Sequence, residues 1–221
     1  QINYLFPLYL YPSGDDALNL GVASRVPNLA PEFIAAISAA SGLEFVVNGA
    51  GDLVLTFGPE DVLHYIYAML HSSWFRFRFA DFLRSDFPRI PLPAYPAQFS
   101  ILAQHGSRLA ALHLLTADGE EMPVFGVGGS GVVETVRYVE PSSDTRGRVW
   151  FNQDQHFDGV SPEAWQFVIG GYQPAKKWLE DRTGRTLSFD DILAYQQICA
   201  ALGETPQVVA KIDAAVETSA V

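Results

Sequence analysis

With 221 residues, 48% of them hydrophobic and 13% aromatic, the chain is long enough for one sizeable core and is not a disordered polypeptide. No apolar run reaches the roughly 18 residues that a membrane-spanning helix needs, so no membrane partner is expected. A net charge of −11 counts against a free-standing nucleic-acid binder with a broadly basic face; any phosphate-facing surface must be local. The start, QINYLFPLYLYPSGDD, lacks an initiator Met and a basic n-region, so it reads as part of a longer chain rather than as a signal peptide. One cysteine, Cys199, permits neither an intrachain disulfide nor a cysteine-based zinc site, fits a reducing cytoplasm, and is expected to pack as a small hydrophobe.

In chain order, residues 4–11 are β-prone, with Pro7 confining a strand to an edge or bulge, and a polar turn is expected at 12–16. Asn28-Leu-Ala-Pro31 opens a helix that ends at Ser41-Gly42. Residues 43–47 and 53–57 read as two short strands of a hairpin. Gly58-Pro59 then starts a long helix whose Val62, Tyr65, Ile66, Met69 and Leu70 recur at helical spacing on one face. After Ser72-Ser73 an aromatic segment through Leu83 predicts a second helix, with Phe75, Phe79, Phe82 and Leu83 sharing a face. Pro88, Pro91 and Pro93 impose an extended exit.

Residues 97–115 form another amphipathic helix, followed by a strand at 122–125, a glycine cluster at 126–131, and strands at 132–138 and 148–152 around a loop at 141–147. Ser161-Pro162-Glu163 caps a short helical segment, Gly170-Gly171 breaks the chain, and residues 174–180 are helical. Ser188, with Asp191 three residues on, caps a helix running through Leu202, and a final helix covers about 205–217. The fold class is therefore mixed α+β: small β-sheets, several amphipathic helices and a helical C-terminal part. A single domain over 1–221, with 188–217 as a C-terminal helical appendage, is the simplest organisation.

The search for reaction chemistry yields no active site. Gly126-Val-Gly-Gly-Ser-Gly131 matches G-x-G-x-x-G, but a β-branched run follows it where a dinucleotide loop would open a helix. The same run excludes a nucleophile elbow at Ser130. His64 and His71, like His105 and His113, lie two helical turns apart, too far to share one ion. His156, between Asp154 and Asp158, reads as part of a polar surface turn rather than as a cation site.

Binding chemistry remains. Residues 59–93 balance four acids with four arginines, Arg76, Arg78, Arg84 and Arg89, whereas the first 58 residues carry five acids and one base. The arginines alternate with aromatics, a combination that can grip phosphates or stack on bases, although the residues alone favour a solvated face over an aromatic core. Further basic groups are Arg146 with Arg148, and Lys176 and Lys177 with Arg182 and Arg185. The loop at 146–155 also carries Asn and Gln, side chains suited chemically to base edges.

Three blocks carry a resemblance. They are His64-Tyr-Ile-Tyr-Ala-Met-Leu-His-Ser72 through Asp86-Phe-Pro-Arg-Ile-Pro-Leu-Pro93, then Gly147-Arg-Val-Trp-Phe-Asn152 with Phe157-Asp-Gly-Val160, then Trp165-x-Phe-x-Ile-Gly-Gly-Tyr-Gln173 through Lys177-Trp-Leu179 to Asp191-Ile192. Together they closely resemble the C-terminal target-recognition region of Type ISP restriction-modification enzymes, over about residues 4–213. A looser likeness extends to other N6-adenine DNA methyltransferases. The resemblance implies a specificity domain of a large cytoplasmic bacterial polypeptide that also holds a nuclease, an ATP-driven motor with Mg, and an S-adenosylmethionine-dependent N6-adenine methyltransferase. It implies double-stranded DNA and that methyltransferase domain as partners, and no cofactor or catalytic residue in this piece. DNA contact is expected from Arg76, Arg78, Arg84, Arg146, Arg148, Lys176, Lys177, Arg182 and Arg185. The alternative is a docking domain of the same enzyme that touches little DNA.

Overall fold

The computed structural model describes residues 5–11, 25–117, 122–126 and 128–217. The polar turn expected at 12–16 and the last four residues lie outside them, as do Tyr4 and Val127. The chain divides into two compact units, residues 1–110 with 209–221, and residues 111–208.

In the first unit, β1 (Tyr9–Leu10) pairs antiparallel with β2 (Val26–Pro27). Helix α1 (Pro31–Ser41) starts on proline, as expected, and stops where Gly42 turns left-handed at φ 76°. The expected hairpin is corrected: β3 (Glu44–Phe45) and β4 (Thr56–Phe57) run parallel, Glu44 opposite Thr56. The intervening loop doubles back because the Asp52 carboxylate accepts from the Val54, Leu55 and Thr56 N–H groups at 2.8–2.9 Å, with Leu53 left-handed at φ 56°.

Helix α2 (Pro59–His71) buries Val62, Tyr65, Ala68 and Met69. Its Asp61 is itself buried and accepts from Gly51 N–H at 2.6 Å and Gly58 N–H at 2.8 Å, so one carboxylate fastens the preceding loop to the helix start. The aromatic segment is not one helix but two, α3 (Ser73–Arg78) and α4 (Ala80–Ser85), broken at Phe79, where φ is −112°. Ser72 caps α3 by accepting from Phe75 N–H at 3.1 Å, and donates its hydroxyl to Asp213 at 2.6 Å. Phe75 is buried, but the rest of the expected face is not: Phe82 is 71% exposed.

Tyr65 donates to the Pro91 carbonyl at 2.8 Å, holding the proline-rich exit against α2. Helix α5 (Pro96–His113) brings Phe99 against Phe57 and Tyr65, each 5.2 Å between ring centroids. A Cβ at Gly106 would collide with the His64 carbonyl, so this glycine permits close approach of α5 to α2.

The second unit is built on a four-stranded antiparallel sheet in the order β5 (Val124–Phe125), β8 (His156–Asp158), β7 (Arg148–Trp150), β6 (Arg137–Val139). Two expectations change here. The β-branched run at 132–136 is extended but outside the ladder, bound instead by Val133 N–H to the Arg185 carbonyl and Glu134 N–H to that of Phe151. The segment around His156 is an inner strand rather than a surface turn, because Phe157 alternates into the core between its polar neighbours.

On the inner face, Val149 and Phe157 pack with Leu187 and with Leu179 and Tyr195 from the helices. These helices are α6 (Pro162–Gln166), α7 (Pro174–Glu180) and α8 (Phe189–Glu217). Cys199 is buried among them as expected, and burial pushes its thiol up to about 12. The two expected C-terminal helices are one: α8 passes through Pro206. Proline withdraws the N–H that would reach the Leu202 carbonyl, while the Thr205 hydroxyl donates to the adjacent Ala201 carbonyl at 2.7 Å. The architecture is mixed α+β, as the sequence implies.

Replacing Asp61 by alanine strands two N–H groups at the start of α2. Urea denaturation of D61A should show a loss of about 2–4 kcal/mol; an unchanged midpoint would contradict the fastening role.

Candidate nucleic-acid interface

Strand alternation determines what the sheet displays. With Phe125, Val149 and Phe157 directed inward, the opposite face carries Arg137 and Val139 of β6, Arg148 and Trp150 of β7, and His156 and Asp158 of β8. Register sets these in two transverse rows. In the first, Arg137 lies opposite Trp150, and Trp150 opposite His156; in the second, Val139, Arg148, Asp158 and Val124 follow one another across the sheet.

The first row is a chain of ring contacts. The Arg137 guanidinium lies 5.5 Å from the Trp150 ring centroid, and the His156 ring is 4.3 Å from it on the other side of the register. Desolvation, reinforced by the Arg148 charge, lowers the pKa of His156, with Asp158 opposing; the imidazole is therefore neutral near pH 7. In the second row Asp158 is shared: Arg148 Nε donates to it at 2.6 Å and Arg146 Nε lies 3.6 Å from its other oxygen. Two guanidinium groups thus share one carboxylate, and a third, Arg137, lies in the neighbouring row against Trp150.

A tight junction supports this face. A Cβ on Gly147 would strike the Val160 carbonyl, which also accepts from Tyr138 Oη at 3.0 Å. Tyr138 stacks on Trp165, centroids 5.1 Å apart, and burial with nearby Glu140 and Glu163 raises its pKa to about 12, so it remains a donor.

The other expected cations lie in different settings. Lys176 pairs with Glu180 at 3.5 Å and Lys177 with Asp181, each one turn along α7. Arg182 lies 3.5 Å from the Trp178 ring centroid and donates to the Trp178 carbonyl at 3.0 Å and to Asp191 at 3.3 Å. Arg185 is 3.9 Å from the same Asp191. Asp191 completes the expected capping box with Ser188: each side chain accepts from the other residue's N–H at 3.1 Å. In the first unit, Arg76 and Arg78 are exposed on α3, and Arg84 lies 3.6 Å from Asp81.

The polar loop is committed inward. Asn152 accepts from the Asp154 and Gln155 N–H groups and donates to the Val132 carbonyl, while buried Gln155 accepts from Gly131 N–H at 2.7 Å. These two amides build the hairpin and anchor the glycine cluster. Sequence reasoning passed over Arg137, which lay in a run read only as strand. The signal was present in the alternation Arg148-Val-Trp150 and His156-Phe-Asp158, whose polar members register with it.

Two solved structures share this fold. One is a cryo-EM complex of DrdV with DNA: 21% identity, TM-score 0.60, covering 92% of this chain and 21% of that one. The other is the ATP-dependent Type ISP restriction-modification enzyme LlaBIII bound to DNA: 17% identity, TM-score 0.56, covering 93% of this chain and 13% of that one. The chain therefore spans a small part of either relative. No curated protein sequence matches it. The family of Type ISP C-terminal specificity domains matches residues 1–211, and the chain belongs to that family. It is a recognition domain rather than a catalytic one.

The Ser188 N–H and hydroxyl, with Arg182 nearby, hold the Asp191 carboxyl below its ordinary value of 3.8. A depressed folded-state pKa gives stability that is complete above the unfolded value and is lost as pH falls through the folded one. Unfolding monitored between pH 6 and pH 2 should show this loss in the parent chain and a smaller one in D191N. Identical pH profiles would contradict it.

Proposed function

We propose that this chain reads the target sequence of duplex DNA within a larger restriction-modification polypeptide. It holds the duplex for N6-adenine methylation by a separate S-adenosylmethionine-dependent methyltransferase domain. The observation that carries the reading is the specificity-domain match over residues 1–211. It is supported by the DNA bound in both relatives and by the arginines gathered on the sheet's outer face, two of which share the one carboxylate of Asp158. ATP dependence, named for LlaBIII, would belong with Mg to motor and nuclease parts outside this chain, in a bacterial cytoplasm. No described helix is long and apolar enough to cross a membrane.

One observation favours a second role in the first unit. A groove of about 370 Å³ is lined mainly by Phe75, Phe79, Phe82, Leu83, Phe87 and Pro88, together with Ser85, Asp86 and Arg89, and Phe77 of α3 is 87% exposed. An apolar surface of this kind suits docking onto another domain of the polypeptide.

Binding of the 221-residue chain to a mixed-sequence duplex separates the readings. DNA recognition predicts that affinity falls about tenfold between 50 and 200 mM salt for every two phosphates neutralised. Absence of binding, or binding indifferent to salt, would leave docking as the better account.

A further inference from the structure

We infer that the outer face of the β5–β8–β7–β6 sheet contacts the phosphate backbone of duplex DNA, with Arg137, Arg146 and Arg148 as the contacting groups. The inference rests on the DNA-recognition reading and adds to it a surface and a residue, Arg137, outside the basic groups singled out from sequence.

Three observations converge. The first is charge. In residues 111–208 seven basic residues are outnumbered by fourteen acidic ones, yet this face carries three arginines, of which two share the Asp158 carboxylate and the third lies against Trp150. A polyanion approaching an otherwise acidic unit meets favourable potential here. Of the remaining cations of the unit, Lys176 and Lys177 each have a carboxylate to themselves, while Arg182 and Arg185 share Asp191 at a helix cap.

The second observation is presentation. Arg137 is exposed and lies against an aromatic ring rather than an acid, so its charge is oriented without being neutralised. Arg146 is 63% exposed at its side chain, and Arg148, at 35%, is held more firmly. The Trp150–His156 contact gives Arg137 a fixed platform, which lowers the entropy lost on gripping an anion.

The third is spacing. Arg137 opposes Trp150, and Arg148 lies two residues before Trp150 on β7. The two are therefore diagonal neighbours, about 7–8 Å apart, and can reach separate phosphates of one strand. Backbone gripping of this kind sets orientation and register without reading sequence. The sheet would then act as a rest for the duplex, leaving base edges to other segments.

The test is the salt dependence of binding by the full 221-residue chain, read by fluorescence anisotropy on a mixed-sequence 20-base-pair duplex. Each phosphate contact contributes about 0.9 to the slope of log affinity against log salt. R137A and R146A should each reduce the slope by about that amount, and the double variant by about 1.8. R137K retains a charge and should retain the slope, as should K211A, which removes an exposed charge in the other unit. Melting curves matching the parent show that each variant is folded. Salt-dependent binding by the parent with an unaltered slope in R137A/R146A would overturn the sheet-face inference alone. No salt-dependent binding by the parent would overturn the DNA reading, and this inference with it.

Discussion

The period-two alternation of β7 and β8 is the constraint on which the candidate interface depends. Val149 and Phe157 are fully buried against α7 and α8, and burial of such side chains is worth about 1.5–3 kcal/mol each. Because neighbours on a strand must point oppositely, fixing these two inward fixes Arg148, Trp150, His156 and Asp158 outward. A one-residue slip would bury a guanidinium and expose a phenyl ring. The hydrophobic core thus selects the polar face. Gly147 and Gly131 secure the same register, one by admitting the Val160 carbonyl and the other by donating to Gln155.

The first unit is organised by a different device: single carboxylates that each serve several donors. Asp61 joins the loop before α2 to that helix, Asp52 shapes the turn that makes β3 and β4 parallel, and Asp213 accepts from both the Ser72 hydroxyl and Trp74 N–H. Hydrogen bonds to a charged acceptor are among the stronger ones available to a fold. Part of the chain's acidity is therefore architectural. A strongly negative total coexists with a locally positive sheet face because Asp61 and Asp213, like Asp191 in the second unit, are engaged in building helix ends and turns.

Helices were legible in the sequence where local chemistry dictates them. Pro31, Pro59, Ser161 and the Ser188–Asp191 pair each announce a helix start that the structure contains. The misread features depend on contacts that residue spacing alone does not reveal. Parallel pairing of residues 44–45 with 56–57 follows from the Asp52 turn, and the run at 132–136 is diverted to Arg185 and Phe151 rather than to a neighbouring strand. Proline at 206 looks like a boundary because local rules say so, but packing carries α8 through it. For the site, the charged residues could be enumerated, but their pairing could not. Asp158 and Asp191 each receive two arginines, but the first does so on an open sheet face and the second while closing a helix cap. Arg137 gains its significance only from registration opposite Trp150.

The central claim is that duplex DNA rests on the outer sheet face. Arginine Nε–Hε resonances followed by NMR during titration of the chain with a short duplex address it directly. The account predicts that the Arg137, Arg146 and Arg148 signals shift first and saturate together, while Arg182, held by Trp178 and Asp191, stays in place. Shifts confined to Arg182, Arg185 or the arginines of α3 and α4, with the sheet-face signals unmoved, would contradict it.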